Sequence, residues 1–322
     1  MLKKYKKNYH INLLIIIAGN IFTFILLLSV LFLIGEIYYR LFYDKPDSFG
    51  LTLISERWFA RHYQYNNRGI RDNIEYNKMS APGKRRISFL GDSYTVGHGI
   101  KNVDKRFANQ VRNMMKDEWE VQVLAGNGLD TGAELYVLES YIKAGFQFDN
   151  LILIYCLNDI SDIIPKFKNI LKEIYKGKKS EGFFLKNSYF INLLYYRFVR
   201  GRNPNISNYY GFVRDAYYSN HWEDQKNRLH LLCKLCHSRG INLMVVTFPF
   251  LHALDNGYEY GEIHEKLNKF WKEQKIPYLD LLSIYEGHKA SELIISRYDA
   301  HPNEYAHSLA AEAIKNFIIR KD

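Results

Sequence analysis

From Ile11 to Ile34 no position is charged and nearly all are apolar. A run of about 20 such residues spans the hydrocarbon core of a bilayer as a helix. The pattern then changes to short apolar runs separated by amphipathic stretches. Arg86–Leu90, Val121–Leu124, Leu151–Tyr155, Ile241–Phe248 and Pro277–Leu281 read as strands. Leu151–Tyr155 is apolar at every position, as in a strand buried on both faces. Between these runs, residues 104–118, Ala133–Gly145, His221–Arg239 and Glu304–Ile319 show helical spacing. Gly145 and Gly240 stand where helices stop. Strands alternating with helices in this way predict an α/β fold, a parallel sheet covered on both faces. Residues 46–80 carry Pro46, Gly50, Asn66-Asn67 and Gly69 and read as an irregular approach segment.

The flanks decide how the first run is used. A cleavable signal has an apolar region of about 7–15 residues ending in small residues. Here the run is longer and leaves through Gly35-Glu36-Ile37-Tyr38-Tyr39-Arg40 with no such site, so it reads as an uncleaved anchor. Lys3, Lys4, Lys6 and Lys7 precede it, whereas Glu36 and Asp44 offset Arg40 and Lys45 after it. The positive-inside rule then expects a cytoplasmic amino terminus and a single pass, with the rest extracytoplasmic, on the periplasmic or cell-surface side. Tyr38, Tyr39, Phe42 and Tyr43 suit the outer interface. The expected organisation is a basic tip and anchor over 1–45, a lead-in over 46–80 and one domain over 81–322 with an insertion at about 160–220.

The chain has 322 residues, 47% of them hydrophobic, which suffices for a buried core and excludes wholesale disorder. Its net charge is +10. Most of that comes from residues 166–202, where Lys166, Lys168, Lys172, Lys176, Lys178, Lys179, Lys186, Arg197, Arg200 and Arg202 face only Glu173 and Glu181. Phe183, Phe184, Tyr189, Phe190, Tyr195 and Tyr196 are interleaved with them. Nucleic acid is an unsuitable partner outside the cytoplasm. A solvated face, an acidic glycan or an anionic lipid surface remain as readings. Cys156, Cys233 and Cys236 are too few for a disulfide scaffold. Cys233-Lys234-Leu235-Cys236-His237 has the spacing of a haem attachment site, and with His230 it could suggest zinc. It lies inside a helix that leads straight into a core strand, so packing is the expected role, with no cofactor and no metal.

Four polar motifs fall at or beyond strand ends, where open α/β sheets hold their chemistry. Gly91-Asp92-Ser93-Tyr94 follows the first strand and exposes a serine at a strand-to-helix turn. Ala125-Gly126-Asn127-Gly128 follows the second, where glycine lets a backbone N–H approach a substrate. Leu157-Asn158-Asp159 follows the third, offering an amide for an oxyanion and a carboxylate that can brace the loop. Asp299-Ala300-His301-Pro302-Asn303 supplies a base and the acid that fixes its tautomer. Each alone is also an ordinary turn or cap.

Taken together, over residues 65–322, they resemble the SGNH (GDSL-like) hydrolase superfamily, whose blocks centre on Ser, Gly, Asn and His. The matching residues are Ser93, a glycine in the Gly126 region, Asn158 and His301. Asn67-Arg68-Gly69-Ile70-Arg71 and the stretch His301-Pro302-Asn303 to His307 look like further features of that family. The resemblance implies a three-layer α/β/α sandwich and acyl-ester chemistry without metal. Three departures stand out. Cys156 occupies the usual glycine of the third block. The second block lacks its leading Asn, so Ala125, Gly126 or Asn127 could donate to the oxyanion, with Gly126 preferred. Tyr298 occupies the usual Asp position, leaving Asp299 as the acid.

The expected function is a serine esterase removing an acyl group, acetyl being the expected one, from a cell-envelope carbohydrate or another ester. Ser93 is its nucleophile, His301 its base and Asp299 its orienting acid, with Ser93, Gly126 and Asn158 at the oxyanion. Transfer of the acyl group to a glycan hydroxyl is the alternative fate. A non-catalytic glycan-binding or assembly module is the alternative class, and retention of Ser93, Asn158, Asp299 and His301 speaks against it.

Overall fold

The structure, a computed structural model, describes residues 2–165, 167, 169, 171–172, 182–199 and 202–321. Of the basic stretch, Lys166, Lys168, Lys176, Lys178, Lys179 and Arg200 lie outside the described residues. Five strands form one parallel sheet in the order β2-β1-β3-β4-β5. They are β1 (Arg85–Gly91), β2 (Trp119–Ala125), β3 (Asn150–Cys156), β4 (Asn242–Phe248) and β5 (Tyr278–Asp280). All five expected strands are present; β1, β2 and β3 extend two or three residues beyond the apolar runs through pairing with their neighbours, whereas β4 and β5 are one and two residues shorter. β3 is buried at every residue, as its continuous apolar run requires.

Helices cover both faces. In register, Phe89 of β1 lies level with Ile152 of β3 and Met244 of β4, so Phe248 points to the same side of the sheet. Phe107, on α4 (Phe107–Met114), meets both Phe89 and Phe248, with ring centroids 5.4 and 5.7 Å apart. Tyr155 points to the other side and accepts a hydrogen bond from Gln225 at 3.1 Å. Gln225 belongs to α9 (His221–Ser238), which packs beside α5 (Thr131–Lys143) and α10 (Gly261–Glu273). The second layer pairs α4 with α11 (Glu304–Lys321). The result is a three-layer α/β/α sandwich.

Three departures from the sequence pattern have local causes. The helix expected over 104–118 is interrupted, because Arg106 is extended (φ −67°, ψ 142°) between a short 3-10 turn and α4. The irregular lead-in contains α2 (Leu53–His62). Its start is fixed by Thr52, whose hydroxyl caps Ser55 N–H, and by Asp47, whose carboxylate takes the N–H groups of Phe49, Leu51 and Thr52. Glu56, Arg57 and Arg61 hide the apolar face of this helix from a pattern reading. The Asp299 loop is in fact a hairpin, β6 (Ile294–Ser296) against β7 (Asp299–Pro302).

α1 (Leu2–Ile37) contains the apolar run, and Asn12–Phe42 is long and apolar enough to cross a membrane, with mean hydropathy 2.6. Its large side chains from Leu13 to Ile34 are exposed, except Phe32, which is partly covered. A π turn (Tyr38–Phe42) follows. The long excursion between β3 and α9 includes α6 (Phe183–Asn187), α7 (Tyr189–Phe198) and α8 (Tyr209–Ala216).

Candidate active site

β1 delivers Ser93 to the carboxyl edge of the sheet. Gly91 is the last residue of the strand, and a Cβ there would come within 3.0 Å of the Ile154 carbonyl oxygen on β3. Only glycine lets the chain turn this close to its neighbour. Asp92 then caps α3 (Ser93–Val96) by accepting the Tyr94 N–H at 2.9 Å. Ser93 therefore occupies the first helical position, where backbone N–H groups have no intrahelical partner.

The β6–β7 hairpin brings in the other two residues. His301 Nε2 lies 2.9 Å from Ser93 Oγ, and His301 Nδ1 lies 2.6 Å from Asp299 Oδ1. This is a continuous hydroxyl–imidazole–carboxylate relay. Asp299 is fully buried and His301 nearly so. Burial alone would push the Asp299 carboxyl up, but the imidazoles beside it outweigh that and hold it well below the usual carboxylate range. His301 is itself lowered, by burial first and then by the neighbouring His98 charge, against the pull of Asp299.

His98 is the residue that sequence reading missed. Its ring stacks on His301 at 4.0 Å, and its Nε2 lies 3.4 Å from Asp299 Oδ2 and 3.2 Å from the Asp47 carbonyl oxygen. Burial disfavours its charge, yet Asp299 and Asp47 raise it overall. Asp299 is thus shared by two imidazoles, one on each oxygen. His98, Asp299 and His301 offer three ligand-type atoms within 4.8 Å. The 2.6 Å contact between His301 and Asp299, however, is the length of a charge-assisted hydrogen bond. The only sequence signal for His98 is its place five residues after the serine. The lead-in motif has a purpose here: Arg71 donates to the carbonyls of Gly97 at 2.6 Å and of Ile100, fixing the loop that carries His98.

The remaining expected residues divide. Asn158 lines the same cavity as Ser93, and its Nδ2 donates to Asp92 Oδ2 at 3.3 Å, leaving a second amide hydrogen. Asp159 braces the loop through Cys156 N–H at 2.9 Å. Gly126 is a correction. Its N–H donates to the Gly91 carbonyl at 3.4 Å, continuing the β1–β2 ladder by one step, and it does not line the cavity. Asn127 and Gly128 line it instead. His307 is apart from the site, in the α4–α11 interface, where Nδ1 accepts the Phe107 N–H at 3.3 Å. Cys156, Cys233 and Cys236 are free thiols, and Cys236 is buried in the core beneath α9.

The cavity above Ser93 and His301 holds about 370 Å³. Its walls combine aromatic rings, among them Phe49, Phe59, Phe167, Tyr209, Tyr210 and Phe250, with polar and small side chains.

No family model matches the chain, and no curated protein matches its sequence. Solved structures do resemble it in shape. An extracellular lipase from Streptomyces rimosus is 13% identical, covering 72% of this chain and 99% of its own, with a TM-score of 0.48. A psychrotrophic esterase from Pseudoalteromonas is 12% identical over 74% of this chain and 98% of its own, with a TM-score of 0.45. A member of the lipolytic G-D-S-L family from Veillonella parvula is 14% identical over 73% and 99%, with a TM-score of 0.44.

Proposed function

We propose that the chain is a serine esterase that acts through an acyl-enzyme. The observation that carries this is the relay from Ser93 Oγ through His301 to Asp299, at 2.9 and 2.6 Å, in the wall of a cavity large enough for an ester. His301 Nε2 takes the Ser93 proton as Oγ attacks the ester carbonyl. The Ser93 N–H and the Asn158 amide stabilise the oxyanion, and Asn127, which lines the cavity, is the second-block residue assigned here as a further donor. His301 then returns the proton to the leaving alkoxide, and a second cycle passes the acyl group to water. A sugar hydroxyl held in the cavity would instead make the chain an acyltransferase. A cell-envelope glycan is the acceptor suggested by an anchor over residues 1–45 that leaves the rest outside the cytoplasm. The lead-in over 46–80 and the domain over 81–322 complete this organisation.

The test is a serine-directed phosphonate combined with hydrolysis of a small acetyl ester. Wild-type protein should be labelled and active. Ser93→Ala should lose both, with an unchanged melting curve. Equal activity in the variant ends the serine-nucleophile reading.

A further inference from the structure

The exit of α1 is built into the excursion between β3 and α9. Glu36 accepts hydrogen bonds from Ser188 Oγ at 2.7 Å, Tyr189 N–H at 3.2 Å and Phe190 N–H at 3.0 Å. A carboxylate from the anchor thus caps α7, where the helix dipole favours negative charge. Phe190 lies against the anchor. Its ring stacks on Tyr39 at 5.7 Å and approaches Phe32 at 6.0 Å, and it covers Gly35 so closely that a Cβ there would come within 2.9 Å. Arg57 of α2 donates to the carbonyls of Tyr39, Arg40 and Tyr43, locking the π turn to the lead-in.

Phe32 belongs to the apolar run, so a bilayer crossed by α1 would have the edge of its core at the level of Phe190. Next to it, α6 presents Phe183 and Phe184, which are 74% and 64% exposed, with Lys186 on the same turn. Aromatic and cationic side chains at this depth are what the interfacial layer of a membrane accepts. The other end of the connection is the cavity. α7 has ten residues, hence a length of about 15 Å. Its Tyr196 packs with Leu51, Phe49 and Leu171, and Phe49 and Leu171 line the cavity.

We propose that the α6–α7 hairpin docks in the interfacial layer of the bilayer that α1 crosses, with Phe183 and Phe184 inserted. This holds the Ser93 cavity about one helix length from the lipid, so the ester it takes is carried on a membrane-resident amphiphile. The substrate half rests on the esterase reading; the docking half does not.

The test uses the full-length protein in vesicles of phosphatidylcholine and phosphatidylglycerol. Nitroxides are placed at Phe184→Cys and, as a water-exposed reference on α5, at Tyr136→Cys, both in a Cys233→Ser background. Oxygen concentrates in the bilayer and a nickel chelate stays in water. The oxygen-to-nickel collision ratio at Phe184→Cys should exceed the reference at least about threefold, as burial of about 5–10 Å into the boundary demands. Equal ratios overturn docking, as does a spectrum immobilised without oxygen preference, which would mark a covering protein. Separately, Phe183→Asp with Phe184→Asp should lower hydrolysis of an ester lipid in the same vesicles about tenfold, given the apolar burial lost. Hydrolysis of a water-soluble acetyl ester should stay within about twofold, since neither residue lines the cavity. An unchanged lipid rate, or a parallel loss of both rates, overturns the substrate half. If wild type hydrolyses neither ester, the esterase reading fails while the collision ratio still decides docking.

Discussion

Asp92 and Asp299 flank Ser93, and both are fully buried, yet their surroundings drive them in opposite directions. Asp299 has an imidazole on each oxygen and is held well below the carboxylate range. Asp92 is pushed up by burial to about 6. Its partners are the Tyr94 N–H and the Asn158 amide, which favour its anion but carry no charge to hold it. Equal burial with unequal partners therefore gives one carboxylate suited to stabilising an imidazolium and another that shapes a turn.

The contrast breaks most directly by neutralising each in turn. Asp299→Asn should lower kcat by about 10⁴, since the amide favours the wrong imidazole tautomer. Asp92→Asn keeps a capping oxygen and should cost no more than about tenfold. Comparable losses in steady-state kinetics would dissolve the distinction. Asn158→Ala comes next, with an expected loss of about 10²–10³ if its amide serves the oxyanion. A loss under about threefold, the scale of a merely structural contact, would leave Asn158 only its bond to Asp92.

The smallest effect is on pH. His301 must be neutral to accept a proton, so kcat/KM falls as pH drops through its pKa. Because burial and the His98 charge lower that value, the acid limb should have its midpoint below the ordinary 6.5. His98→Gln removes the nearby charge and leaves Asp299 to stabilise the imidazolium of His301 alone. Both changes raise the His301 pKa, so the limb should move to higher pH. A limb that stays in place would show that His98 bears no charge where His301 titrates.

Different physics decided which parts could be read beforehand. Each strand of the sheet carries a short, mainly apolar run bounded by turn residues, and Ser93, Asn158, Asp299 and His301 follow such runs or share a short spacing, so local pattern points to them. His98 acts through a carboxylate 201 positions away, and nothing in its neighbourhood marks that contact. Gly126 has no side chain, as a close backbone approach needs. Whether its N–H faces the cavity or the Gly91 carbonyl depends on where the ladder ends, which pairing decides and sequence does not. Glu36 reads as a charge balancing Arg40, while its role as a cap of α7 spans 153 positions.

The separation of Ser93 from its base also has a consequence in time. The two lie 208 residues apart, with β2, β3, β4 and β5 between them. At a synthesis rate of about 5–20 residues per second, the nucleophile exists for about 10–40 s before His301 is made. Parallel pairing is non-local and slow to form. Throughout that interval Ser93 is an ordinary alcohol. On the esterase reading, the chain therefore has no activated nucleophile until its last 22 residues are being made, a delay set by the order of the residues alone.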